Sequence, residues 1–128
     1  MADTDSLAQI FNRLFPEGQL KRIPKNPKHR DLILAVLSLP LMRRYPYPEA
    51  ELNEVLKEGL EDMNALVDHV TARRYLVDLG FLKRDAAGVR YYLNYLKQQE
   101  VLPEALATAA KLLVKDAIAN APRARHRK

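Results

Sequence analysis

DHVTARRYLVDLGFLKRDAAGVRYYL, running from Asp68 to Leu93, is the stretch whose reading decides the fold. Asp68 suits a helix N-cap, because its carboxylate accepts from the free N–H groups of a first turn. Val70, Arg73, Leu76 and Val77 recur at helical spacing. Gly80 follows, able to take the left-handed conformation that ends a helix. Phe81 to Arg84 and Val89 to Leu93 then alternate apolar and polar, the period of half-buried strands. Asp85-Ala86-Ala87-Gly88 joins them as a turn, with Gly88 free to adopt positive φ. The spacing predicts a helix over 68–79 and a two-stranded hairpin over 81–93. That is the shape of the recognition end of a winged helix-turn-helix.

On the N-terminal side, Pro48 opens a third helix in which Leu52, Val55 and Leu56 face inward, with Leu60 and Met63 prolonging the stripe. Glu49, Glu51, Glu54, Glu58, Glu61 and Asp62 cover its outer face, early acids suiting the positive end of the helix dipole. Gly59 is a place for that helix to bend or end, and Leu60 to Val67 reads either as its continuation or as a further turn. Before it, Arg43-Arg44-Tyr45-Pro46-Tyr47 reads as an extended link. Pro27 to Leu39, capped by Asn26 with proline in the first turn, is a second helix. Leu32 to Leu37 make that helix apolar almost all round, so it belongs at the centre of the core. Gln19 to Asn26 is an extended basic segment. Leu20 and Ile23 tuck onto the core, whereas Lys21, Arg22, Lys25 and Lys28 fit either a solvated connector or a phosphate-contacting arm. The first helix, Asp3 to Leu14, carries Leu7, Ile10, Phe11 and Leu14 on one stripe, with Ser6 or Asp5 as cap.

Beyond Leu93, Asn94-Tyr95-Leu96 leads into the polar run Lys97 to Glu100. Pro103 then opens a last helix with Leu106, Ala109, Ala110, Leu113, Ala117 and Ile118 in register and Val114 widening the stripe. The expected class is mainly α with a small β-hairpin (α+β): a winged helix-turn-helix-like core with extra N- and C-terminal helices. One domain over 1–121 is expected, its core at about 19–95 and its terminal helices at 6–14 and 103–120. A basic, disordered tail is expected at 122–128.

The 128 residues carry a net charge of +5, and four of those charges sit in Pro122 to Lys128, leaving the rest of the chain at +1. Basic patches at Lys21 to Arg30, Arg43-Arg44, Arg73-Arg74 and Lys83-Arg84 therefore stand against one acidic patch, Glu49 to Asp62. No cysteine is present, which removes disulfide and thiolate chemistry and is compatible with a reducing, cytoplasmic compartment. The longest apolar run, at Leu32 to Leu41, falls far short of the roughly 20 residues a spanning helix needs. His29, His69 and His126 have no metal-ligand spacing, and no glycine-rich phosphate loop exists. An enzyme, a metal and a cofactor are all unexpected.

The residue groups Tyr47 to Leu56, Asp68 to Asp78 with Arg73-Arg74-Tyr75-Leu76-Val77-Asp78 at its centre, Gly80, and Gly88-Val89-Arg90-Tyr91 resemble an uncharacterised bacterial family, domain of unknown function 2087. Leu20 to Pro24 resembles the segment that precedes the long core helix in that family. The resemblance covers about Phe15 to Leu93. Two departures stand out: Pro48 occupies a position that is commonly serine or threonine, and the region Gly59 to Val67 is longer than usual. The resemblance implies a winged-helix-like domain of a kind that sometimes accompanies helix-turn-helix transcriptional regulators. It implies a regulatory setting and no catalytic residues.

These readings define the candidate site. His69, Thr71, Arg74 and Tyr75 on the fourth helix are the groups expected to reach a DNA groove, where arginine pairs with guanine O6 and N7. Arg84 and Arg90 on the hairpin are expected at phosphate or in the minor groove. Arg73 is expected to form a structural ion pair with Glu51, Glu54 or Glu58. The expected role is DNA binding in bacterial transcriptional regulation. The alternative is a non-enzymatic interaction or dimerisation module, a homodimer forming through Leu7, Ile10, Phe11 and Leu14 together with Leu106, Leu113 and Ile118.

Overall fold

Seven consecutive residues, Leu32 to Ser38, are buried within a single helix, and the rest of the molecule is arranged around it. The computed structural model describes residues 4–121; the expected basic tail at 122–128 lies outside the described residues. Within them the elements are α1 (Thr4–Leu14), α2 (Pro27–Ser38), β1 (Tyr47–Pro48), α3 (Glu49–Asp62), α4 (His69–Asp78), β2 (Leu82–Arg84), β3 (Arg90–Leu93), α5 (Tyr95–Val101) and α6 (Glu104–Asn120). The class is α+β: six helices and one small antiparallel sheet among the described residues. Between α1 and α2 lies a tight turn, Pro16–Gly18, in which Glu17 and Gly18 take φ of 58° and 77°.

Local sequence explains most of the boundaries. The Asn26 side chain accepts from the amides of Lys28 and His29 at 2.9 and 3.1 Å, and Pro27, which has no amide N–H to satisfy, opens α2. The helix ends at Ser38, whose hydroxyl folds back to donate to the Ala35 carbonyl. The first helix is already under way at Thr4, so Ser6 lies inside α1 and does not cap it.

Three features differ from the sequence reading. The ribbon is a three-stranded sheet in the order β1-β3-β2, because Tyr47 and Pro48 pair with Tyr91 and Arg90. Two residues carry no period, so β1 is legible only through its partner. The run after Leu93 is a helix, α5, capped by Asn94 and built around the buried Gln98. Gln98 donates to the Ser38 carbonyl and hydroxyl at 3.0 and 2.9 Å, which satisfies a buried amide that periodicity treats as a surface group. Gly59 does not end α3, which continues to Asp62. A Cβ at Gly59 would stand 2.8 Å from Leu37 Cδ1, so the missing side chain lets α2 and α3 pack closely.

Helices α1 and α6 pack on one another and cover one side of the core. Leu7 and Phe11 are buried there, Ile10, Leu14, Leu106, Leu113 and Ile118 are partly buried, and the α6 face is centred on Ala110, Val114 and Ala117. The apolar stripes expected to form a dimer interface are thus largely used within their own subunit.

Candidate nucleic-acid interface

Asp68 accepts from the Thr71 amide at 2.7 Å and starts α4 where the sequence places it. That hydrogen bond is the leading cause holding its carboxyl below the ordinary aspartate range, with burial opposing weakly. Gly80, at φ 87°, closes the helix, and the Phe81 amide donates back to the Leu76 carbonyl at 2.8 Å. The hairpin follows with Leu82 opposite Leu93 and Arg84 opposite Tyr91. Its turn is locked by Asp85, whose carboxylate accepts from the amides of Val89 and Arg90 at 2.8 and 3.2 Å, bonds that also lower its pKa. Gly88 supplies the positive φ, 70°, that the turn requires.

The buried face of α4 differs from the expected stripe. Ala72 and Leu76, four residues apart, face the core, whereas Val70 is 43 % exposed and Val77 is half-buried. A helix advances about 100° per residue, so burying Ala72 and Leu76 turns Val70, Arg74 and Asp78 to the outside as one ridge. α4 packs mainly on α3 and carries two apolar pairs of different register; the α3 contact selects one of them.

The candidate residues separate accordingly. Arg74, Tyr75, Arg84 and Arg90 are exposed. His69 and Thr71, expected as exposed groups, are only partly accessible in the first turn of α4. Arg84 donates to the Gly88 carbonyl at 3.2 Å and lies 5.2 Å from the Tyr91 ring centroid, which holds its guanidinium along the hairpin. The side chains of Arg74 and Arg90 form no hydrogen bond or ion pair among the described residues.

Arg73 turns inward. It donates to Asn53 Oδ1 and stands 3.9 Å from Glu49 Oε2, with 18 % of its side chain exposed. The partners expected for it, Glu51, Glu54 and Glu58, are not the ones it contacts. Glu51 accepts from the Tyr45 hydroxyl at 2.8 Å, which raises the Tyr45 pKa, and Glu54 pairs with Lys57 at 3.2 Å. Glu49 and Asn53 are one helical turn apart on the flank of α3 beside α4, a spacing visible in the sequence although the side they face is not. Glu49 also accepts from the Tyr91 hydroxyl at 3.1 Å, so one carboxylate ties α3 to both α4 and β3. Between α4 and the hairpin runs a shallow cleft of about 260 Å³ lined by Arg73, Arg74 and Arg84, by Tyr91, and by the acids Glu49 and Asp78.

From Asp68 to Leu93 there are five arginines and lysines against three aspartates, a net charge of +2. Those aspartates are not equivalent. Asp68 and Asp85 spend their oxygens on backbone amides, while Asp78 shares the exposed ridge with Arg74.

A family model described as an uncharacterised protein conserved in bacteria, domain of unknown function 2087, matches residues 19–93. The chain belongs to this family. No curated protein and no solved structure matches it. The domain-of-unknown-function-2087 segment begins with the basic arm and ends with β3, leaving α1, α5 and α6 outside it. No helix among the described residues is long and apolar enough to cross a membrane.

Proposed function

We propose that this domain is a winged helix-turn-helix that binds duplex DNA, in a cytoplasmic, regulatory setting and without catalysis. The observation that carries the reading is the order α2-β1-α3-α4-β2-β3 with its β1-β3-β2 sheet, which leaves the outer ridge of α4 beside a cationic hairpin. In that geometry α4 enters the major groove, Arg74 and Tyr75 face base edges and backbone, and Arg84 and Arg90 lie along flanking phosphates. Arg73 is a positioning residue: through Asn53 and Glu49 it fixes the seating of α4 on α3. The acidic side chains Glu54, Glu58 and Glu61 project from the side of α3 opposite its buried leucines and do not line the cleft between α4 and the hairpin, where Glu49, held by Arg73 and Tyr91, and Asp78 are the acids present.

The test is fluorescence anisotropy of a labelled random-sequence duplex at several salt concentrations. It compares the full-length chain with a full-length variant in which Arg123, Arg125, Arg127 and Lys128 are glutamine. Both should bind, with affinity falling steeply with salt, because released counterions set the slope. Arg74→Ala combined with Arg90→Ala should weaken binding without lowering the melting temperature; unchanged affinity would remove the surface.

A second reading has its own support. Leu66 and Val70 are 63 % and 43 % exposed beside the start of α4, an apolar pair better suited to protein than to phosphate. An interaction module, self-associating or not, would bind through this end of α4. A dimer through the terminal helices would have to use exposed positions such as Leu112, at 56 %.

A further inference from the structure

The segment between Gly18 and α2 is held in place by contacts with the approach to α4. The Leu20 amide donates to the Asn64 carbonyl at 3.2 Å, and the Leu66 amide donates to the Leu20 carbonyl at 2.9 Å. These bonds form a parallel bridge between Leu20 and Ala65. Asn64, itself at φ 51°, adds a side-chain bond to the Gly18 carbonyl at 2.8 Å. Leu20 and Ile23 are buried, so the backbone here is pinned on both sides of Lys21 and Arg22. Because the bridge is parallel, the chain leaving Leu20 heads the same way as the chain leaving Ala65, which reaches the α4 N-cap three residues later. The arm therefore stands at the N-terminal end of α4, while the hairpin departs from its C-terminal end.

Several cations elsewhere on the surface are neutralised, although Arg74, Arg90, Lys111 and Lys115, like the arm, meet no carboxylate among the described residues. Arg30 pairs with Asp31, Lys57 with Glu54, and Lys97 with Glu100. Lys21 shares Glu17 at 3.2 Å, but Arg22, Lys25 and Lys28 are exposed and meet no carboxylate among the described residues. Three unneutralised cations lie within seven residues, Arg22 and Lys25 on a segment braced by Pro24, Pro27 and the bridge and Lys28 in the first turn of α2, so their backbone is pre-positioned for a polyanion.

We propose that Arg22, Lys25 and Lys28 form a second phosphate-binding element, which grips the DNA backbone on the side of the α4 groove away from the hairpin. The contacts are to phosphate oxygens, so they add affinity and fix register without reading sequence. They also offset the charge of Asp68, which stands at the same end of α4. This inference rests on the DNA-binding reading and extends its footprint by one arm.

The test measures the salt dependence of duplex binding for full-length protein, for Arg22→Gln/Lys25→Gln/Lys28→Gln, and for a control, Lys57→Gln/Lys111→Gln/Lys115→Gln, that removes equal charge from α3 and α6. The arm variant should bind less tightly, with a log–log slope flatter by roughly 0.9 for each phosphate no longer neutralised, about 2 to 3 in all. The control should keep the wild-type slope, and all three proteins should keep the same circular dichroism and melting temperature. An arm variant with the wild-type slope overturns the arm and leaves the α4–hairpin reading standing. Equal flattening in the control also overturns it, because net charge alone would then account for the effect. If the wild-type chain binds no duplex at any salt, both readings fall.

Discussion

Arg73 and Arg74 are adjacent in sequence and opposite in role, so exchanging each for methionine should give two different failures. Arg73→Met keeps most of the aliphatic stem and removes the guanidinium. The hydrogen bond to Asn53 that disappears involves a charged donor that is only 18 % exposed; bonds of that kind contribute about 1.5–3 kcal/mol. The pair with Glu49 is long, 3.9 Å, and that carboxylate is 54 % exposed, which places it at about 0–1 kcal/mol. The hydrogen bond to Asn53 therefore dominates, and the expected destabilisation is about 2 kcal/mol. Arg74 has no hydrogen-bond or ion-pair partner among the described residues, so Arg74→Met should fall within about ±0.5 kcal/mol. Urea unfolding followed by far-ultraviolet circular dichroism reads both, provided the slope m is unchanged. Asn53→Ala should reproduce most of the effect of Arg73→Met, and the double variant should cost much less than the sum, since the two residues share one bond. In DNA titrations the pattern reverses: Arg74→Met weakens binding of a fully folded protein. Equal destabilisation by the two arginine variants, or additivity between Arg73→Met and Asn53→Ala, would refute this account of how α4 is seated.

Gln98→Met removes the amide that joins α5 to the end of α2, and a destabilisation of about 1–2 kcal/mol is expected by chemical denaturation; Ser38→Ala should be non-additive with it, whereas independent effects would mean the hydrogen bond does not couple the helices. Gly59→Ala tests the close approach of α2 and α3. The helix-propensity gain of about 1 kcal/mol is outweighed if the new methyl must displace the buried Leu37, at about 1–3 kcal/mol, so a measured stabilisation would show that Leu37 moves freely. Asp68 and Asp85 both have pKa values lowered by backbone hydrogen bonds, so both bind protons less readily folded than unfolded. Their contribution is present above the ordinary aspartate range and lost as pH falls below about 4. Urea midpoints for Asp68→Asn/Asp85→Asn and wild type should differ at pH 6 and converge by pH 2; a gap that persists at pH 2 would mean the effect is steric.

The sequence by itself determined what depends on neighbours along the chain. Asn26 and Asp68 cap their helices, Gly80 ends α4, and Asp85 to Gly88 turn the hairpin, because each acts on backbone groups only a few residues away. The central burial of α2 and membership of the bacterial family were likewise carried by contiguous residues. Tertiary structure alone decided the rest. β1 exists because Tyr47 meets Tyr91, and α5 holds because Gln98 meets Ser38, 60 residues earlier. Helical spacing already turned Arg73 inward and Arg74 outward, but that Ala72 rather than Val70 joins Leu76 on the buried face was settled by packing on α3. The arm reached the start of α4 only through the bridge from Leu20 to Ala65. Such pairings join residues far apart in sequence. Neither partner has a local pattern that announces the other, and the choice between competing faces is made by the total area they bury together.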